Sequence, residues 1–207
     1  MGKLMELGKV YHLTDHAVDK NNVFVIPNNY GYFLSRYVHF MPNVVDTYAY
    51  CLMPNHFHFA IQVKSRDAIL QLPPELLESW KLSKNSSDND FQRRVSQQFS
   101  NLFNGYTQAF NKQQSRRGAL FEGNFCRSKV EDRVYFENMI CYIHGNAVHH
   151  GFCDHYMQWT YSSIHPLLFD EDATFLKRDV LFKFFGGKEA LIKAHEEWKP
   201  LQWDENF

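Results

Sequence analysis

The sequence predicts an α+β fold, an antiparallel sheet covered on one face by helices and followed by a helical C-terminal extension. Three observations carry this expectation. Apolar residues alternate in some segments and recur at three/four spacing in others, the periods of strands and helices. Two β-branched and aromatic runs are separated only by Pro54-Asn55, which is turn chemistry and makes an antiparallel hairpin. The 207 residues, 44% of them hydrophobic, suffice for one domain with a substantial core.

Each element follows in order. Lys9 to His16, with Val10, Tyr11 and Leu13, reads as a strand. Asn28 or Asn29 can cap a helix whose apolar positions are Tyr32, Phe33, Tyr37 and Phe40, ending before Pro42. Val44 to Met53 and His56 to Val63 are the hairpin strands. Residues 65–90 hold a short helical piece, a Pro-Pro break and a Ser/Asn/Asp-rich tail, the best candidate for a mobile loop. From Phe91 to about Gln114 a helix carries Val95, Phe99, Leu102, Phe103, Tyr106 and Phe110 at helical spacing. Gly118 to Val130 is turn-rich and partly strand-like, and Asp132 caps a third helix that Gly151 closes. Beyond Trp159 the pattern gives turns and amphipathic helices over 174–185 and 188–198. Strand, helix, hairpin, helix, strand, helix is the order of a ferredoxin-like (RRM-like) sheet.

Composition bounds the function. A formal charge of −1 argues against a uniformly basic nucleic-acid binder, and the apolar content argues against a disordered acidic chain. No segment approaches the ~20 apolar residues of a membrane span, and the N-terminus lacks a signal-peptide apolar core. Cys51, Cys126, Cys141 and Cys153 are widely spaced and read as reduced thiols, so a cytoplasmic location is expected.

The sharpest local motif is His56-Phe57-His58-Phe59. Side chains alternate along a strand, so both imidazoles share one face while the phenylalanines enter the core. Two imidazoles on one face are half of a divalent-metal site, although a strand with two surface histidines has the same pattern. In the third helix Phe136, Ile140, Ile143 and Ala147 form the buried stripe, and Tyr142 and Asn146, one turn apart, share a flanking face. A phenol oxygen and an amide oxygen can thus serve one point. His144, His149, His150, Cys153 and His155 also crowd together, but without the paired spacing of a structural zinc site.

Four runs, YHLTDHAVDKNNVF, TYAYCLMPNHFHFAIQV, FNGYTQAFNKQQSRRGALFEGNF and YIHGNAVHHGF with WTYSSIH, resemble in order and spacing the HUH-type tyrosine transposases. Within these the REP-associated tyrosine transposases and their insertion-sequence relatives look nearest. The resemblance covers 9–165 and implies a catalytic domain over residues 1–166 with a helical extension over 167–207. It implies that His56 and His58 hold a metal, that Tyr142, on the tyrosine of the family's Y-I-x-x-N-P motif, is the nucleophile, and that Asn146 is a third ligand. Tyr106 falls on the helical spacer. The family's Asn-Pro is Asn146-Ala147 here, and its Arg-Gly after the first strand is His16-Ala17.

The reaction so implied is transesterification of single-stranded DNA through a 5′-phosphotyrosyl intermediate, with Mg²⁺ or Mn²⁺ as cofactor and hairpin-bearing repetitive DNA as partner. Between Phe91 and Arg133 eight basic residues face three acids, a local charge of +5 interleaved with aromatics. That pairing of cations and rings suits an unpaired strand. Arg116, Arg117, Arg127 and Lys129 are the DNA-binding candidates there, joined by His12 and His16 on the first strand. A DNA-binding regulator with the same fold is the alternative function, and both a monomer and a homodimer with exchanged nucleophile helix fit the resemblance.

Overall fold

A computed structural model describes residues 4–122, 125–169 and 174–198 of the chain. Four strands, β1 (Val10–His16), β2 (Val45–Met53), β3 (His56–Val63) and β4 (Cys126–Val130), form an antiparallel sheet in the order β2-β3-β1-β4. Met53 pairs with His56, so Pro54 and Asn55 alone make the hairpin turn. The loop after β1 braces that turn: Asn55 O accepts from Ala17 N, and Pro54 O accepts from the amides of Val23 and Phe24. The ferredoxin-like order is thereby realised.

Helices α1 (Pro27–Phe40) and α4 (Asp88–Gln113) cover the face to which Phe57 and Phe59 point. Phe33 of α1 and Phe103 of α4 each lie 5.6 Å from the Phe57 ring, an aromatic layer that is the centre of the core. Pro27 opens α1 at its first turn, and Asn29 accepts from the Val25 and Ile26 amides. Tyr32, expected on the apolar stripe, is exposed instead, and Tyr30 takes the inward position. Helix α4 starts at Asp88 because Ser87 and Asp90 form a reciprocal cap.

Residues 65–90 are not a bare loop. They fold into α2 (Arg66–Ile69) and α3 (Pro74–Ser79), and the segment is anchored to α4 by buried Trp80, whose carbonyl accepts from Arg94. The Arg66 guanidinium also stacks over Phe91.

The second sheet face is covered as well, by α5 (Arg133–His149), which starts on the Asp132 side chain and packs against β2 and β3. Buried Phe136, Ile140, Ile143 and Ala147 form its inward stripe. Beyond it come α6 (Ile164–Phe169), α7 (Arg178–Phe185) and α8 (Lys188–Glu197). Two short stretches beyond α5 lie beside β2: Leu52 N donates to Tyr161 O, Ser163 N to Tyr50 O and Lys177 N to Thr47 O, so that this sheet edge is partly covered. Among the described residues no helix is long and apolar enough to cross a membrane.

Candidate active site

The site forms where α5 crosses β3 and β1. Residues paired across an antiparallel ladder share a face, and the register sets His16 opposite His56 and Thr14 opposite His58, with His12 one pair further along opposite Ala60. His12, Thr14, His16, His56 and His58 therefore all look toward α5. Because α5 lies over them, His12, His56 and His58 are buried, at 4%, 3% and 5% exposure, where surface histidines would be accessible.

Asn146 Oδ1 lies 3.1 Å from His56 Nε2, and His56 Nδ1 is held 2.8 Å from Asn55 Oδ1. His58 Nδ1 is 3.0 Å from His12 Nε2. The Tyr142 ring meets His58 and His12 edge-on, with centroids 5.4 and 5.9 Å apart. His16 and His150 each bring a ring within 5.0 Å of His56 from the exposed side. His58 Nε2, Asn146 Nδ2 and Thr14 Oγ1 are buried with no hydrogen-bond partner among the described residues. Such atoms are costly unless something else engages them.

Burial lowers the His12 pKa to about 4. It also brings His56 down to about 3, reinforced by His16 and His150. His58 lies well below the ordinary imidazole value, again by burial and then by its histidine neighbours. All three are neutral at pH 7, the state in which a histidine offers a lone pair to a cation.

The structure thus brings His56, His58, Tyr142 and Asn146 together. Tyr106 is a core residue: its hydroxyl donates to Val23 O at 2.6 Å, and burial raises its pKa. The DNA-binding candidates scatter. His12 turns inward to His58, away from solvent, and His16 stays exposed at the site rim. Arg127 and Lys129 pair with Leu13 and Tyr11, which places them on the α1/α4 side of the sheet, away from the histidines. Lys129 is bound to Glu6 at 3.1 Å, and Arg127 stacks on Phe125. Arg117 is exposed, and Arg116 donates to Ala119 O.

The histidine-rich stretch after Asn146 does not converge on a metal. His144 is fully buried, its Nδ1 2.7 Å from His195 Nε2 and its Nε2 2.8 Å from Ser163 Oγ. Among the described residues no cluster of three or more His, Cys, Asp or Glu side chains is arranged to hold a metal ion. The oxygen nearest the buried histidine pair is instead an amide, Asn146 Oδ1, 3.1 Å from His56 Nε2. The approach of His12 and His150 and the His144–Ser163–His195 chain had no local sequence signal, since each contact depends on long-range packing.

No protein-family model matches the chain. It is 26% identical over 125 residues to a protein of Haemophilus influenzae named "Putative REP-associated tyrosine transposase". The match takes in 58% of this chain and 59% of the relative, so the chain spans about three fifths of that protein's length. Among solved structures it is similar to a REP-associated tyrosine transposase bound to a REP hairpin, with a TM-score of 0.53 and 13% identity over 80% of this chain and 81% of the other. In sequence and in fold alike, the chain resembles the REP-associated tyrosine transposases, the family to which its motifs point.

Proposed function

We propose that the chain is a metal-dependent, single-strand DNA transesterase of transposase type, with Tyr142 as nucleophile. The observation that supports this best is the convergence on α5: the Tyr142 ring touches His58 while Asn146, one turn on, reaches His56. The donor set fits a divalent cation. Both imidazoles have Nδ1 engaged by a neighbour, which leaves Nε2 as the ligating atom, and Asn146 Oδ1 adds an oxygen. Mixed nitrogen and oxygen ligation suits Mn²⁺ or Mg²⁺, which when bound supplies Lewis-acid polarisation of a phosphate oxygen.

The protein's own part is positional. A phenol has a reference pKa near ~10 and is protonated at neutral pH, so its reactivity depends on alignment with the phosphorus. Attack by the Tyr142 oxygen forms one P–O bond and breaks the bond to the 3′-oxygen. The phenolic proton is lost and the leaving oxygen gains one, giving a 5′-phosphotyrosyl adduct and a 3′-hydroxyl. Since one phosphodiester replaces another, the step reverses without ATP. Arg116 and Arg117, in the turn after α4, are proposed to hold the strand through its phosphates. A hairpin-bearing strand is the proposed substrate, since the solved relative is bound to one. Incubation with single-stranded hairpin oligonucleotides and Mn²⁺ tests this. A denaturant-resistant protein–DNA band is expected, and its absence with every single-stranded substrate, while duplex DNA is cut, would overturn the assignment.

A further inference from the structure

We infer that His12 is a positioning residue: its Nε2 accepts a hydrogen bond from His58 Nδ1 and so fixes the tautomer and ring direction of His58 that leave Nε2 bare for a cation. The inference rests on the reading of His58 as a metal ligand. His12 lies on β1 opposite Ala60, which is fully buried and has only a methyl group on that face. The space is filled by the His12 ring, which stacks on His58 at 5.1 Å with 24° between the planes. Between the two facing nitrogens, 3.0 Å apart, a neutral pair shares one proton.

Two arrangements are possible, and the surroundings separate them. If His12 donated, His58 would carry its own proton on Nε2, which is buried and has no acceptor among the described residues. If His58 donates from Nδ1, Nε2 presents a lone pair and no buried donor is stranded. Only the second form can ligate. A carboxylate or carbonyl commonly performs this office for metal-bound histidines; here a second imidazole does. His12 also makes an edge contact with Tyr142, so one side chain steadies both the ligand and the nucleophile's ring.

The tautomer can be read directly on the unmodified, metal-free chain by long-range ¹⁵N–¹H correlation of the histidine rings. The expected result is a protonated Nδ1 and bare Nε2 for His58 with a bare Nε2 for His12; a proton on His58 Nε2 overturns the inference. Mn²⁺ titration followed by electron paramagnetic resonance gives a second readout. His12→Phe is expected to weaken Mn²⁺ binding by about 10–100-fold, and His12→Gln, which keeps an acceptor, to recover most of it. Affinity unchanged in His12→Phe but lost in His58→Ala refutes the role of His12 and leaves the proposed function standing. Affinity unchanged in His58→Ala refutes the ligand assignment itself.

Discussion

Ser163→Ala is the perturbation whose cost can be worked most fully from the structure. Ser163 is fully buried; its Oγ accepts from Tyr50 N at 2.8 Å and faces His144 Nε2 at 2.8 Å. The proton order of the chain is forced from its far end. Leu191 O can only accept, so His195 Nδ1 donates to it, His195 Nε2 accepts from His144 Nδ1, and His144 Nε2 accepts from the Ser163 hydroxyl. The run thus ties α8 through α5 to β2. Removing the hydroxyl strands a buried amide and a buried imidazole nitrogen. At about 1–3 kcal/mol for each unsatisfied group the loss is about 2–6 kcal/mol, a large share of a typical domain's stability. Urea unfolding, with the slope checked for constancy, measures it. The double variant Ser163→Ala/His144→Phe is expected to cost less than the sum of the single changes, because it removes a stranded partner. A loss below about 0.5 kcal/mol for Ser163→Ala would refute the chain as drawn.

Acid should weaken the metal-free protein. His144 and His195 are both lowered by burial, so the unfolded chain binds more protons than the native one below about pH 6.5, and stability falls as pH drops through that range, by at most about 1.4 kcal/mol per pH unit for each group. A urea midpoint that stays flat from pH 7 to pH 5 would contradict this. Phe33→Ala, at a fully buried ring within 5.0 Å of Tyr106 and 5.6 Å of Phe57, should cost about 3–5 kcal/mol by thermal or urea unfolding. Replacing Arg116 and Arg117 by Ala should make the salt dependence of single-strand binding shallower by about 0.7 log units per lost phosphate contact; an unchanged slope would place the strand elsewhere.

Much of the fold was legible because local chemistry and periodicity agreed. Pro54-Asn55 between two strand-like runs fixed the hairpin, Asp132 marked the start of α5, and the Phe57/Phe59 alternation assigned the core face. Alternation also put His56 and His58 on one face, but not how deep they lie, because the covering helix comes more than 70 residues later. The net charge of −1 averages a basic middle over a C-terminal segment, 167–207, that carries −3. Tyr32 fits the helical period yet faces out, because Phe33 and Tyr37 set the inward direction together with Tyr30, which stacks on Tyr161 at 3.6 Å from a distant segment. The segment 65–90 looked loop-like for want of a long apolar period, and its order comes from Trp80 and from Arg66 on Phe91, contacts that only α4 supplies. His12 showed the same limit: its role depends on β1 pairing with β3, a register that no short window contains.

The central claim is that Tyr142 supplies the attacking oxygen in a covalent step on DNA. Its most direct test is to trap the protein on a single-stranded oligonucleotide with Mn²⁺, digest both polymers, and locate the nucleotide by mass spectrometry. The expected product carries a 5′-phosphate on Tyr142 in the Arg133–His149 helix, and Tyr142→Phe yields no adduct while retaining DNA binding. A nucleotide on any other residue, or an undiminished adduct in Tyr142→Phe, would contradict it.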